Sequence, residues 1–227
     1  IGNISENSKQ KNDDIITQLE KLKSKMGNQV NEYISKTTGK IGANNPDVFI
    51  NKIVKEKPNQ DNLIAMKEFL ELMGEKRQEI SQENCILIIN WLISSSNLKE
   101  EQINKNVGLC AGLIISLNLK LIKLYISLLN KNSDERKSCL LKGLTVILKV
   151  NQPIESESLN DLIPIIISGI EQKDRLIKEN SIQALSCYQF ANKLKLLEIY
   201  QEEKYRKLLY NCCEIDKNYI READFGG

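Results

Sequence analysis

From Asp13 onward the apolar residues of this chain recur at helical intervals. Ile15, Ile16, Leu19, Leu22 and Met26 fall at three- and four-residue steps, with Lys21 and Lys25 opposite them. The same period continues to the end of the chain in segments of roughly 12 to 20 residues. Short polar breaks separate them and read as helix caps. Asn44-Asn45-Pro46-Asp47 stops one helix and starts the next, with a proline near the first turn. Lys57 to Asp61, Asn132-Ser133-Asp134 and Asn151-Gln152-Pro153 do the same. No segment alternates strictly enough to predict a strand. Ile165-Ile166-Ile167 is locally β-prone, yet Leu159, Leu162, Ile163, Ile166 and Ile170 share one helical face, which predicts a helix there. The first dozen residues, Ile1 to Asn12, are rich in Asn, Ser and Lys and have little to bury. They read as a flexible lead-in, with one helical domain over residues 13–227.

The helices themselves recur. First helices are expected to open near Asn45, Glu79, Asn118, Glu155 and Lys193, and second helices near Gln60, Lys99, Ser133, Lys173 and Cys213. Two helices in roughly 40 residues is the unit of HEAT-type repeats, in which neither helix buries its apolar face alone and the next repeat supplies the core. The fold class expected is therefore all-α: a HEAT-repeat α-solenoid, armadillo-like, of antiparallel helix pairs in about five repeats. Asp174-Arg175-Leu176-Ile177-Lys178 fits the D-x-x-[VI]-[KR] opening of a HEAT second helix. There the aspartate caps, the aliphatic residue enters the core and the basic residue reaches toward the neighbouring repeat. Ser133 to Lys137 is a looser copy, and Asp216 to Arg221 another, one residue out of register.

Composition narrows the chemistry. Among 227 residues there is no histidine, which removes Ser-His-Asp and Cys-His catalysis and His-ligated zinc. Aromatic residues are 5% against 41% apolar, so the core has to be aliphatic. With 32 Lys+Arg against 30 Asp+Glu the net charge is +2, a poor match to a protein that coats nucleic acid or an anionic membrane. Cys85, Cys110, Cys139, Cys187, Cys212 and Cys213 form no C-x-x-C pair, and five of them sit in apolar surroundings. They are expected to be reduced core residues, with no metal site. The apolar stretch Val107 to Leu129 is interrupted by Asn118, Lys120 and Lys123 and reads as core, not as a membrane span. No secretory leader pattern opens the chain, which begins at Ile1. The reading is a soluble fragment of a longer intracellular protein, cytoplasmic or nuclear.

Candidate chemistry is sparse. Thr37-Thr38-Gly39-Lys40 has no glycine at phosphate-loop spacing, and Ile41 stands where Ser or Thr would hold magnesium, so Gly39 is read as a helix-end glycine. The pairs Glu202-Glu203 and Glu155/Glu157 lie in polar stretches that offer no means of raising a carboxyl pKa. Lys21, Lys23 and Lys25, and Lys120, Lys123 and Lys131, read as solvated faces. Tyr200, Tyr205, Tyr210 and Tyr219 gather near Lys204, Arg206 and Lys207, the best contact surface in the sequence. The alternative for these tyrosines is partial burial within two helices. No residue stands out as catalytic, cofactor-binding or metal-binding.

The last residues carry a resemblance. Lys217 to Gly226, in full Lys-Asn-Tyr-Ile-Arg-Glu-Ala-Asp-Phe-Gly, resembles the K-E-L-I-R-E-V-E-M-G segment of the cullin-associated, neddylation-dissociated proteins. These are long HEAT solenoids, also described as TATA-binding-protein-interacting proteins. Asp174 to Ala191 is similar to their D-x-x-V-R-x-x-A-L helix, and Gly108 to Gly112 to their A-E-C-L-G stretch. Thr38 to Ile41 followed by Asn45 to Asp47 resembles L-G-S-I and N-L-P-E. The likeness spans Gly27 to Gly227 and departs from the family at Gly226-Gly227, where the family has Gly-Pro-Phe. Ile1 to Lys25 has no counterpart.

The resemblance implies the carboxy-terminal part of a solenoid and a non-catalytic regulator. Such a protein binds unmodified cullin, exchanges substrate-receptor adaptors and so governs SCF complex assembly and other cullin–RING ubiquitin ligases. The partner implied is a cullin–RING complex, with no nucleic acid, membrane or small-molecule substrate. A different HEAT scaffold is the alternative: a nuclear-transport receptor, a tubulin-folding cofactor or a coat subunit. A transport receptor calls for acidic inner loops, and none is visible.

Overall fold

The polar break from Lys57 to Asp61 is a cap, while 132–133 and 151–153 lie outside the described residues. Asn59 accepts a hydrogen bond from the Asn62 backbone N–H at 2.9 Å, while the Asn62 side chain accepts from the Asn59 N–H at 2.7 Å. This reciprocal capping box starts one helix at Gln60. Pro46 occupies the first turn of another, and Asp174 Oδ1 accepts from the Ile177 N–H at 2.9 Å at the start of the last. In the computed structural model of the protein, residues 14–19, 21–22, 27–94, 100–131, 134–149, 154 and 156–191 are described. Residues 14–19 and 21–22 are helical. Nine further helices follow: α1 (Asn28–Gly42), α2 (Pro46–Ile53), α3 (Gln60–Glu75), α4 (Gln82–Ile93), α5 (Glu101–Leu117), α6 (Ile122–Lys131), α7 (Asp134–Lys149), α8 (Ser156–Ile170) and α9 (Arg175–Ala191). A 3-10 turn, Leu119–Leu121, leads into α6. No strand occurs among the described residues.

The helix starts match the spacing read from the sequence. Expected openings at Asn45, Glu79, Asn118 and Glu155 meet observed ones at Pro46, Gln82, Leu119 and Ser156. Those expected at Gln60, Lys99, Ser133 and Lys173 meet Gln60, Glu101, Asp134 and Arg175. The pairs expected at Lys193 and Cys213, the tyrosine cluster, the Asp216 motif copy and the lead-in lie outside the described residues.

Alternate helices pack on one another. The odd-numbered ones form a continuous layer in which α1 packs on α3, α3 on α5, α5 on α7 and α7 on α9. In the even-numbered layer, α2 contacts α4 and α6 contacts α8. Side-chain bridges tie α4 to α2 and the residues just after it, α6 to α8 and α7 to α9, at separations of 34 to 42 residues. In the even layer Asn84 donates to Asp47 Oδ1 at 2.7 Å and Lys123 to Glu157 at 3.0 Å, while Trp91 Nε1 donates to the Glu56 carbonyl at 2.7 Å. In the odd layer Asn180 donates to the Ser138 carbonyl at 3.0 Å and Lys142 to Gln183 at 2.8 Å.

One aliphatic core runs between the layers, from Ala43 to Tyr188, and includes Leu63, Met66, Leu70, Ile114, Leu144, Ile166 and Ile177. Ile165-Ile166-Ile167 is buried inside α8, so the helical face outweighs the local β preference. The Phe49 and Phe69 rings meet at 4.7 Å and join α2 to α3. Val107 to Leu129 is not one helix, since its two arms bend by 115° around Asn118. No single helix among the described residues is long and apolar enough to cross a membrane.

Close crossings account for Gly39, Gly108, Gly112 and Gly143. A Cβ on Gly112 would collide with the Gly143 carbonyl, and one on Gly108 with the Cys139 carbonyl, so α5 and α7 meet backbone to backbone. Gly39 is placed differently from the helix-end position expected of it. It lies inside α1, against the Ala65 carbonyl of α3, and α1 continues to Gly42. Helix α3 ends in a Schellman turn: Gln78 N–H bonds the Met73 carbonyl and Arg77 N–H the Gly74 carbonyl. Arg77 takes the left-handed position at φ 52°, where glycine is usual.

Candidate functional site

Local sequence places the exposed side chains of the even layer. In α4, Cys85, Ile88, Ile89, Trp91 and Leu92 enter the core. Five consecutive apolar residues, Cys85 to Ile89, are more than one helical face can bury. Ile86 and Leu87 are therefore left outward, each 36% exposed. Ser81 accepts from the Asn84 N–H at 3.2 Å and fixes the start of α4, which sets Glu83 and Asn84 on its first turn. In α2 the Pro46 start puts Asp47 on the first turn, and the Asn51 amide donates back to the Asp47 carbonyl at 2.9 Å. The two helices frame a groove of about 600 Å³, lined by Asp47 and Asn51 on one side and Glu83, Ile86, Leu87 and Asn90 on the other. Asn84 bridges its walls through the bond to Asp47. Val48 and Leu124 are the other exposed aliphatic residues of the even layer.

The odd layer offers a different face. Toward its N-terminal end charges are paired: Lys36 with Glu32 at 2.8 Å, Lys40 with Glu68 at 3.2 Å, and Lys67 with Glu71 at 3.1 Å. The Lys36 partner holds the Glu32 carboxyl below its usual range. A second cavity, of about 450 Å³, lies between α1 and α3 beside Asn31, Glu32, Gln60 and Asp61. Further along, Lys142 of α7 lies near Lys105 of α5 and Lys149. Burial, reinforced by these like charges, pushes its ammonium below the usual lysine range.

Buried thiols and phenols belong to the core. Cys85, Cys110, Cys139 and Cys187 are buried and in no disulfide, and Cys110 donates weakly to the Leu63 carbonyl at 3.6 Å. Burial pushes the Cys85, Cys110 and Cys187 thiols up, against the direction that activates a nucleophile. Tyr125 is fully buried and donates to the Leu140 carbonyl at 2.6 Å. Cys212 and Cys213 lie outside the described residues.

The residues singled out in the sequence are positioned as follows. Thr37 and Thr38 donate to the Tyr33 and Ile34 carbonyls inside α1, so that stretch is helix and not a phosphate loop. Glu157 is held by Lys123, which accounts for one member of the Glu155/Glu157 pair. Ile177 is buried beneath the Asp174 cap, and Lys178 is exposed. Among the described residues no three His, Cys, Asp or Glu side chains gather to hold a metal ion. The α2–α4 groove was not foreseen, although the over-long apolar run at Cys85 to Ile89 was its visible trace. Comparison with protein-family models, with curated proteins and with solved structures found no match to this chain.

Proposed function

We propose that this chain is a section of a HEAT-repeat α-solenoid and acts as a non-catalytic protein-binding scaffold. The observation that carries the reading is the two-layer stack itself, with helices opening at the expected period and bridged between successive units. Such a stack spreads recognition over many modest contacts along exposed helix faces. The D-x-x-I-K opening at Asp174 and its cap support the repeat assignment.

Within that class the specific function proposed is the assembly and exchange of cullin–RING ubiquitin ligases, in the cytoplasm or nucleus. It rests on the resemblance carried by Lys217 to Gly226 and the order of segments before it. The test is direct binding of the purified chain to a reconstituted cullin–RING complex in its unmodified and neddylated forms. Binding to the unmodified form alone is expected. Equal binding to both, or to neither, overturns the cullin assignment and leaves the scaffold reading standing.

A further inference from the structure

The odd layer is acidic at α3 and basic at α7. Helix α3 carries four acids and one lysine, whereas α7 carries four basic residues and two acids, Asp134 and Glu135, both on its first turn. Toward α1 and α3 the lysines Lys36, Lys40 and Lys67 each hold a carboxylate. Toward α5 and α7 Lys105, Lys142 and Lys149 gather, and none of the three is in an ion pair among the described residues. The close helix crossing brings them together. A Cβ on Gly108 would lie 3.2 Å from Lys142 Cβ, and Lys105 stands about one turn before Gly108 on α5. Lys149 follows Lys142 by about two turns and shares its side of α7. The acid of α5 is Glu101, on its first turn, and the acid of α9, Glu179, is held by Arg175 at 2.6 Å.

Lys142 is partly buried, and its ammonium donates to Gln183 Oε1 of α9 at 2.8 Å, a neutral acceptor. A cation withdrawn from water beside two like charges is disfavoured, and burial with those charges pushes it below the usual lysine range. A carboxylate brought to this face from outside removes that cost. From this we infer that the face of the odd layer carrying Lys105, Lys142 and Lys149 docks an acidic segment of a partner protein, rich in aspartate or glutamate. Ammonium groups are compact point charges that accept carboxylates in many orientations. Helices α5 and α7 contain no aromatic residue on which a base could stack, which makes nucleic acid the poorer fit. The inference rests on the crossing of α5 and α7 and holds whichever scaffold family the chain belongs to.

Fluorescence anisotropy of the intact chain with short labelled peptides tests it. One peptide is built of glutamate and glycine, and a second has glutamine in place of each glutamate. The glutamate peptide is expected to bind, more weakly as salt rises, and the glutamine peptide at least about tenfold less tightly. Lys105→Gln, Lys142→Gln and Lys149→Gln should each weaken binding about threefold, and the triple variant at least about tenfold. Lys55→Gln, which removes an equal charge just after α2, should leave affinity unchanged. Lys105→Glu separates recognition from folding. It should weaken the peptide about tenfold yet raise the thermal midpoint by about 1–2 °C, because it turns repulsion of Lys142 into attraction.

Wild-type affinity in the triple variant or in Lys105→Glu would overturn the assignment, as would equal binding of the glutamine peptide or no binding of the glutamate one. Tighter binding of a single-stranded oligonucleotide of equal charge would assign the face to nucleic acid and overturn it equally.

Discussion

The two helix layers differ in how closely their helices approach one another. In the odd layer helices of 15 to 17 residues cross with backbones nearly touching, at Gly39 against Ala65 and at Gly108 and Gly112 against Cys139 and Gly143. Its thiols are sealed, and its surface charges at the N-terminal end are neutralised in pairs. The even layer includes α2, only eight residues long, and leaves Val48, Ile86, Leu87 and Leu124 exposed, whereas the odd layer exposes Val30, Tyr33 and Leu176 on its two end helices. The odd layer is drawn together by backbone contact, and the even layer by side-chain bridges between helices that are mostly shorter.

The contrast is broken most decisively by truncation. Phe69→Ala, in the odd layer and fully buried, should lose about 3–5 kcal/mol in urea unfolding, whereas Leu87→Ala in the even layer, about one-third exposed, should lose only about 1 kcal/mol. Similar losses at both positions would erase the division between the layers. Next, Gly112→Ala should destabilise by about 1–3 kcal/mol, because the added methyl meets the Gly143 carbonyl and lies 2.8 Å from Val146 Cβ. Gly74→Ala, also in an odd-layer helix, meets only Leu117 Cδ2 at 3.4 Å. It should gain about 0.5 kcal/mol from helix propensity. Opposite signs for one substitution would locate the seam.

Alkaline pH probes the sealed groups together. Burial raises the Cys110 thiol and the Tyr125 phenol in the folded chain, so the native state keeps protons that the unfolded chain releases. Stability is then fully present below their ordinary values and is lost as pH rises past about 8.5 for the thiol and about 10 for the phenol. The slope is about 1.4 kcal/mol per pH unit for each group, read as a falling urea midpoint. The smallest expected effect is Lys40→Met, which breaks an exposed pair with Glu68 and should change thermal stability by no more than about 0.5 kcal/mol.

Much of the fold was legible because it is written in local patterns. Pro46, the Asn59–Asn62 box and the Asp174 cap are short-range devices, and each lies within a few residues of the helix it starts. The Leu159-to-Ile170 face likewise needs no neighbour to be recognised. Gly39 was misplaced for the opposite reason: glycine before a helix end and glycine at a helix crossing look alike until the crossing partner, Ala65, is known. The groove escaped for the same reason, since Asp47 and Asn84 are 37 residues apart and meet only when α2 packs beside α4.

The sequence by itself determined that this chain is helical, where most of its helices begin and that their core is aliphatic. Periodicity and capping act within a turn or two, so they survive in one dimension. The tertiary structure decided which apolar residues of an over-long run stay outside, which glycines admit a neighbouring backbone, and where acids and amides from separate units converge. Those depend on how one helix lies across another, which no single segment encodes.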